Sequence, residues 1–176
     1  MTDTSLSEAM KEAYASAPDD EVILLTIEMR HPSFTEPLRV VRNHVALTGT
    51  LETTAPANPG EAVEFLPYAF DLNLPEVTET GRPEIRIAIE NISREIVAAL
   101  EAAVQTVHRI EVTYRAWLLS DTTCPQNDPP MTMVVTNVTA TAKTVEMTAG
   151  FTDLTKLAYP KKKYTLEQFP SLASNT

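Results

Sequence analysis

Residues Glu64 to Asn91 read EFLPYAFDLNLPEVTETGRPEIRIAIEN, and their punctuation decides the fold. An aromatic stretch broken by Pro67 ends at Pro75. A polar turn follows, and Pro83 then opens a run with a strict period of two: Ile85, Ile87 and Ile89 on one side, Arg86 and Glu90 on the other. Alternation of this kind marks a strand with one face on a core. Pro67 within the first run points to an edge strand or a bulge, because proline has no N–H to give to a ladder. Core or interface groups there are Phe65, Tyr68, Phe70, Leu72 and Leu74.

Downstream, Asn91 or Ser93 is placed to cap a helix over residues 92–107. Its apolar stripe is Ile92, Ile96, Ala99, Leu100, Ala103, Val104 and Val107. Glu95 near its start and His108-Arg109 after its end suit the helix dipole. Residues 110–119 then form a strand with Ile110, Val112, Tyr114, Ala116 and Leu118 on one side. Trp117 is expected on the opposite face. There it is either half-buried under a loop or an interface anchor, a role in which Trp is enriched. Residues 120–130 (SDTTCPQNDPP) read as an exposed loop, and 131–140 with 142–151 as a hairpin.

Upstream, residues 5–17 carry Leu6, Met10, Ala13 and Tyr14 at helical spacing, and Pro18 ends that helix. Residues 21–30 (EVILLTIEMR) are a strand with Ile23, Leu25, Ile27 and Met29 on one face. The other face holds Val22, Leu24, Thr26 and Glu28, so its start is buried on both sides and its end is polar. HPSFTEP is a turn. Short strands are expected at 38–42 and 45–51, and an exposed loop at 53–60 (TTAPANPG). The expected fold is β-rich α+β: a β-sandwich or flattened barrel with one main flanking helix and a short N-terminal helix. The expected divisions are an N-terminal helix or arm (1–18), a β domain (19–152), and a C-terminal docking arm (153–176).

Bulk properties narrow the function. With 176 residues and 43% apolar content, the chain can bury the core of one domain. No apolar run approaches the ~20 residues of a membrane span, and the polar, acidic start has no secretory pattern. A cytoplasmic site of synthesis follows as an expectation. A net charge of −10 argues against gripping nucleic acid or an anionic membrane, both of which need Lys and Arg.

Chemistry-bearing motifs are scarce. His31, His44 and His108 have no second His or Cys at metal-ligand spacing and read as surface or capping residues. Cys124 allows no disulfide, and no basic neighbour activates it. Four glycines build no phosphate loop, and no nucleophile elbow is present. No catalytic residue, metal or cofactor is expected. The only basic cluster, Lys161-Lys162-Lys163, reads as a solvated segment or as a contact with an acidic neighbour. Leu154, Leu157, Tyr159, Tyr164, Leu166, Phe169 and Leu172 give residues 153–176 the look of an arm docking on a surface.

The succession EVILLTIEMRHP, LRVVRNHVALT, a variable loop, FLPYAFDLNLPE, GRPEIRIAIENISREIVAAL, HRIEVTYRAWLLSD, PPMTMVVTNVTAT and KLAYPKKKYTLEQFPSL resembles a family of uncharacterised proteins encoded among tail genes of tailed bacteriophages and prophages. It also resembles the N-terminal part of the minor tail protein L of lambdoid phages. The likeness runs from about Ala13 to Leu172. It implies a tail-tube-like β-sandwich in a ring of the tail tip or baseplate, between tail tube and central hub or fibre proteins. Its partners would be copies of itself and those neighbours, with DNA only as passive cargo. Its place would be the virion tail, assembled in the host cytoplasm. The lambdoid protein's cysteine-rich region, tied to an iron–sulfur cluster, has no counterpart in a lone Cys124. Candidate inter-subunit contacts are Trp117, Lys161, Lys162, Lys163, Tyr164 and Phe169. A second reading is a β-sandwich module binding a host-surface carbohydrate or protein, and a third is a cell-wall hydrolase. The 6% aromatic content disfavours a sugar-stacking platform, and the missing motifs disfavour an enzyme.

Overall fold

The computed structural model describes residues 6–16, 21–73, 84–90, 93–141 and 144–151. In chain order these form α1 (Glu8–Ser16), β1 (Ile23–Arg30), β2 (Leu38–Val41), β3 (Leu47–Thr50), β4 (Ala62–Pro67), β5 (Phe70–Asn73), β6 (Glu84–Glu90), α2 (Arg94–Val104), β7 (Glu111–Leu118), β8 (Met131–Ala140) and β9 (Thr144–Gly150). The fold is β-rich. Nine strands make one open mixed sheet in the order β3-β4-β2-β1-β7-β8-β9-β6-β5. Only the β2–β4 pair is parallel.

Burial follows position in that order. β1 lies between β2 and β7, so both of its edges are paired, and both of its faces are packed. Ile27 and Met29 enter the main apolar cluster, and Leu24 enters a second cluster on the other face. The expected core strand is borne out: Ile85, Ile87 and Ile89 of β6 are all buried, while Glu84, Arg86 and Glu90 are exposed. The β8–β9 hairpin also forms as read, with a register shift between Val135 and Asn137. Ser93 caps α2, its Oγ accepting from the Ile96 N–H at 3.4 Å. Ile96, Leu100 and Ala103 press on the main cluster, and so does Met10 of α1.

Three expectations need correction. The main helix ends at Val104, short of Val107, which is 98% exposed. Thr106 closes the helix by donating from both its N–H and its Oγ–H to the Ala103 carbonyl. The break at Tyr68–Ala69 splits the aromatic run into β4 and β5, and β4 is an inner strand between β3 and β2. Pro67 is its last residue, where a missing N–H costs little.

Residues 120–130 are not simply an exposed loop. Gln126 and Asn127 are buried and serve as a surrogate strand beside the end of β7. Gln126 N–H donates to the Ala116 carbonyl (2.8 Å). The Asn127 side chain accepts from Ala116 N–H (3.0 Å) and donates to the Tyr114 carbonyl (3.2 Å). Ser7 N–H then donates to the Gln126 carbonyl, and the Ser7 hydroxyl, which caps α1 by accepting from Met10 N–H, donates to Gln126 Oε1. An amide side chain can mimic a peptide group in this way because it carries the same donor and acceptor.

Candidate functional site

The polar expectation for the far face of β1 holds in identity and fails in placement. The register sets Arg30 opposite Glu111, Glu28 opposite Thr113, Thr26 opposite Arg115 and Leu24 opposite Trp117. β2 brings Arg39 against Glu28 from the other side. The outcome is a buried charge network. Glu28, fully buried, accepts from Arg39 Nε at 2.9 Å and lies 3.5 Å from Arg30 Nε and 3.7 Å from Arg115 Nη1. Arg115, also fully buried, clasps Glu52 through Nε (2.9 Å) and Nη2 (2.7 Å). Arg30 reaches Glu111 at 2.9 Å, and Arg39 donates to Asn58 Oδ1 at 2.7 Å.

These bonds explain the loop at residues 53–60. Asn58 holds a positive φ of 53°, a conformation Asn tolerates, and its amide nitrogen donates to Glu61. The loop is thereby pulled over the charges, with Ala55 buried beneath it. Burial raises the Glu52 pKa. The Arg115 hydrogen bond, a bond to its own backbone N–H and the charges of Arg115 and Arg30 together outweigh that, so the carboxyl titrates below its ordinary 4.5. A wrong register would strand one of these charges in the interior, at a cost of several kcal/mol. The network's carboxylates lie against guanidinium groups, and one buried oxygen, Glu28 Oε1, faces Arg30 Nε at 3.5 Å without a hydrogen bond.

Trp117 belongs to the same face. It is fully buried, so its assignment as an inter-subunit contact is corrected: its indole is spent inside its own chain. Its Nε1–H donates to Thr26 Oγ1 at 2.9 Å, Phe65 meets it edge-on at 6.0 Å, and β3 lies across it at Gly49. The other candidate contacts, Lys161, Lys162, Lys163, Tyr164 and Phe169, lie outside the described residues.

Next to the network is a cavity of about 560 Å³, walled by Arg30, His31, Phe34, Pro56, His108 and Arg109 among others. His31 is buried, which corrects its reading as a surface or capping residue. Ser33 N–H donates to its Nδ1 (3.1 Å), which leaves Nε2–H to donate to Thr106 Oγ1 (2.9 Å) or the His108 carbonyl (3.3 Å). His31 and His108 come within 6.4 Å, ring centre to ring centre. No group of three or more His, Cys, Asp or Glu able to hold a metal occurs among the described residues. Cys124 is exposed and His44 is exposed on a separate turn.

Sequence reasoning missed Glu28, Arg39, Glu52 and Arg115 as a unit. The available signal was a lone Arg115 inside the apolar run VTYRAWLL. An arginine there must find carboxylates or remain an unpaired buried charge.

Residues 9–164 match the model of a family described as a domain of unknown function (DUF1833), and the chain belongs to that family. The match takes in both the charge network and the cavity. No curated protein matches the chain.

Proposed function

We propose that this protein is a structural piece of a bacteriophage tail tip or baseplate, forming a ring between the tail tube and the hub or fibre proteins. The likeness of its element order to tail-gene products motivates the reading. One observation carries it: the path of residues 62–73. The first half of this stretch pairs with β2 and the second half with β6. Tyr68 N–H donates to the Val41 carbonyl and Glu90 N–H to the Ala69 carbonyl. One kinked stretch thus touches both ends of the run β2-β1-β7-β8-β9-β6, which favours a flattened, tail-tube-like barrel with α2 on its flank. The end strand β3 then remains as an edge, and native assemblies protect such edges by pairing them. Closed cyclic symmetry would do so for every copy.

In this reading residues 153–176 reach a neighbouring subunit, and Lys161, Lys162 and Lys163 meet its acidic surface. Acidic side chains line the channel and let DNA pass without adhesion. Light scattering on the purified protein tests the contact. Replacing all three lysines by serine should reduce the size of the assembly at physiological salt, and an unchanged size would remove their role.

A further inference from the structure

The cavity beside the charge network has no part in the ring reading, and its wall carries basic groups in an acidic chain. Its volume, about 560 Å³, is in the ordinary range for sites that enclose a small molecule or a protruding side chain. Phe34, Pro37, Pro56 and Val134 give it an apolar body. Arg30, Arg109 and the two imidazoles gather at the same place, with Glu111 as the single carboxylate of the wall. In a chain of net charge −10 this is a local inversion of sign.

Most of these groups are already committed, and that is informative. Glu111 is spent on Arg30 Nη2 at 2.9 Å, and His31 on Ser33, Thr106 and the His108 carbonyl. Among the described residues of the wall one cation is left over. Arg109 is exposed and makes no ion pair with any described residue. The buried Nε–H of Arg30 makes no hydrogen bond but faces Glu28 Oε1 at 3.5 Å, inside the network. The His108 ring meets His31 through a ring contact alone. The group that would meet Arg109 is an acceptor, best an anionic one, because a guanidinium matches the two oxygens of a carboxylate. A cation would face Arg109 with no free carboxylate among the described residues of the wall to balance it. A purely apolar group would desolvate Arg109 without compensation.

We propose that this cavity binds a carboxylate carried on an apolar or aromatic body, its charge at Arg109 and its body against Phe34 and the prolines. Such a group can come from a free small acid or from an acidic side chain beside an aromatic one in another polypeptide. Arg30, Glu111 and Val134 sit side by side on β1, β7 and β8 through the sheet register.

Amide NMR spectra of the intact protein test this. Phenylacetate and the capped dipeptide acetyl-Glu-Phe-amide should each shift the Arg109, Glu111 and Val134 amides saturably, and phenylacetamide and phenethylamine should not. Arg109→Ala, an exposed change that leaves other amides in place, should weaken the anions by about tenfold, the worth of one charge-assisted bond. Phe34→Ala should weaken phenylacetate more than acetate. A tighter dipeptide would indicate a polypeptide source, and a tighter phenylacetate a free acid. Equal binding of the neutral amide, binding unaffected by Arg109→Ala, or no saturable shift with either anion would overturn the proposal.

Discussion

Alanine at Gly49 would drive a methyl carbon into the face of the Trp117 ring. A Cβ built there lies 2.8 Å from Cη2, 2.9 Å from Cζ3 and 3.2 Å from Cζ2, against an ordinary carbon contact near ~3.5 Å. The ring has nowhere to go: it is fully buried, bonded to Thr26 and flanked by Phe65. β3 must lift instead. Overpacking of this kind costs about 1–3 kcal/mol. Alanine repays about 0.4–1 kcal/mol by restricting the unfolded chain. The net loss is centred near about 1.3 kcal/mol, within about 0–2.6, and the central value lowers Tm by about 3–5 °C for a chain of this size. Urea unfolding monitored by tryptophan emission is the natural assay, since Trp117 is the only tryptophan. Native Gly49→Ala should show altered emission as well as a lower midpoint. Gly60→Ala serves as the control. Gly60 has φ +71° with open space around it, so alanine there costs backbone strain of about 1 kcal/mol and leaves the emission alone. If Gly49→Ala matches or exceeds the parent in stability with unchanged emission, β3 does not lie on the indole and the second apolar cluster is wrongly drawn.

Other substitutions probe the remaining joints of the fold. Arg115→Leu strips the partner from Glu52 and one of three from Glu28, and should cost about 3–5 kcal/mol in urea unfolding; a loss below about 1 kcal/mol would mean the pair is solvated. Asn127→Ala removes the two bonds that complete β7, and the orphaned Ala116 N–H and Tyr114 carbonyl should cost about 2–4 kcal/mol together. Faster hydrogen exchange at Ala116 is the local readout, and unchanged protection there would contradict it. Because the Glu52 pKa is depressed on folding, its contribution is complete above its ordinary 4.5 and is lost as pH falls through the folded value. The stability gap between the parent and Glu52→Gln should therefore be largest near neutrality and close in acid. A gap that widens on acidification would reverse the assigned sign.

How much could be read from the chain depended on whether the physics was local. The period-two run at Ile85, Ile87 and Ile89 and the Ser93 cap need only neighbours in sequence, and both were legible. Alternation also put Trp117 on the face away from Tyr114. It could not say what covers that face, because the cover is β3 and β4, some 50–70 positions earlier in the sequence. The Arg115–Glu52 clasp joins residues 63 apart, and local pattern carries no information at that range. The loop at 120–130 misled for another reason. Pro, Asp and Asn are turn formers, yet Asn127 uses the same hydrogen-bonding groups to extend a sheet. The cavity escaped notice because its four basic residues lie in two segments brought together only by the β1–β7 pairing.

The ring is the central claim, and images of the purified protein test it most directly. Negative-stain particles, with mass measured in parallel by sedimentation, should show closed rings of one copy number around a central opening. A monomer at every concentration, or an open filament, would contradict the account.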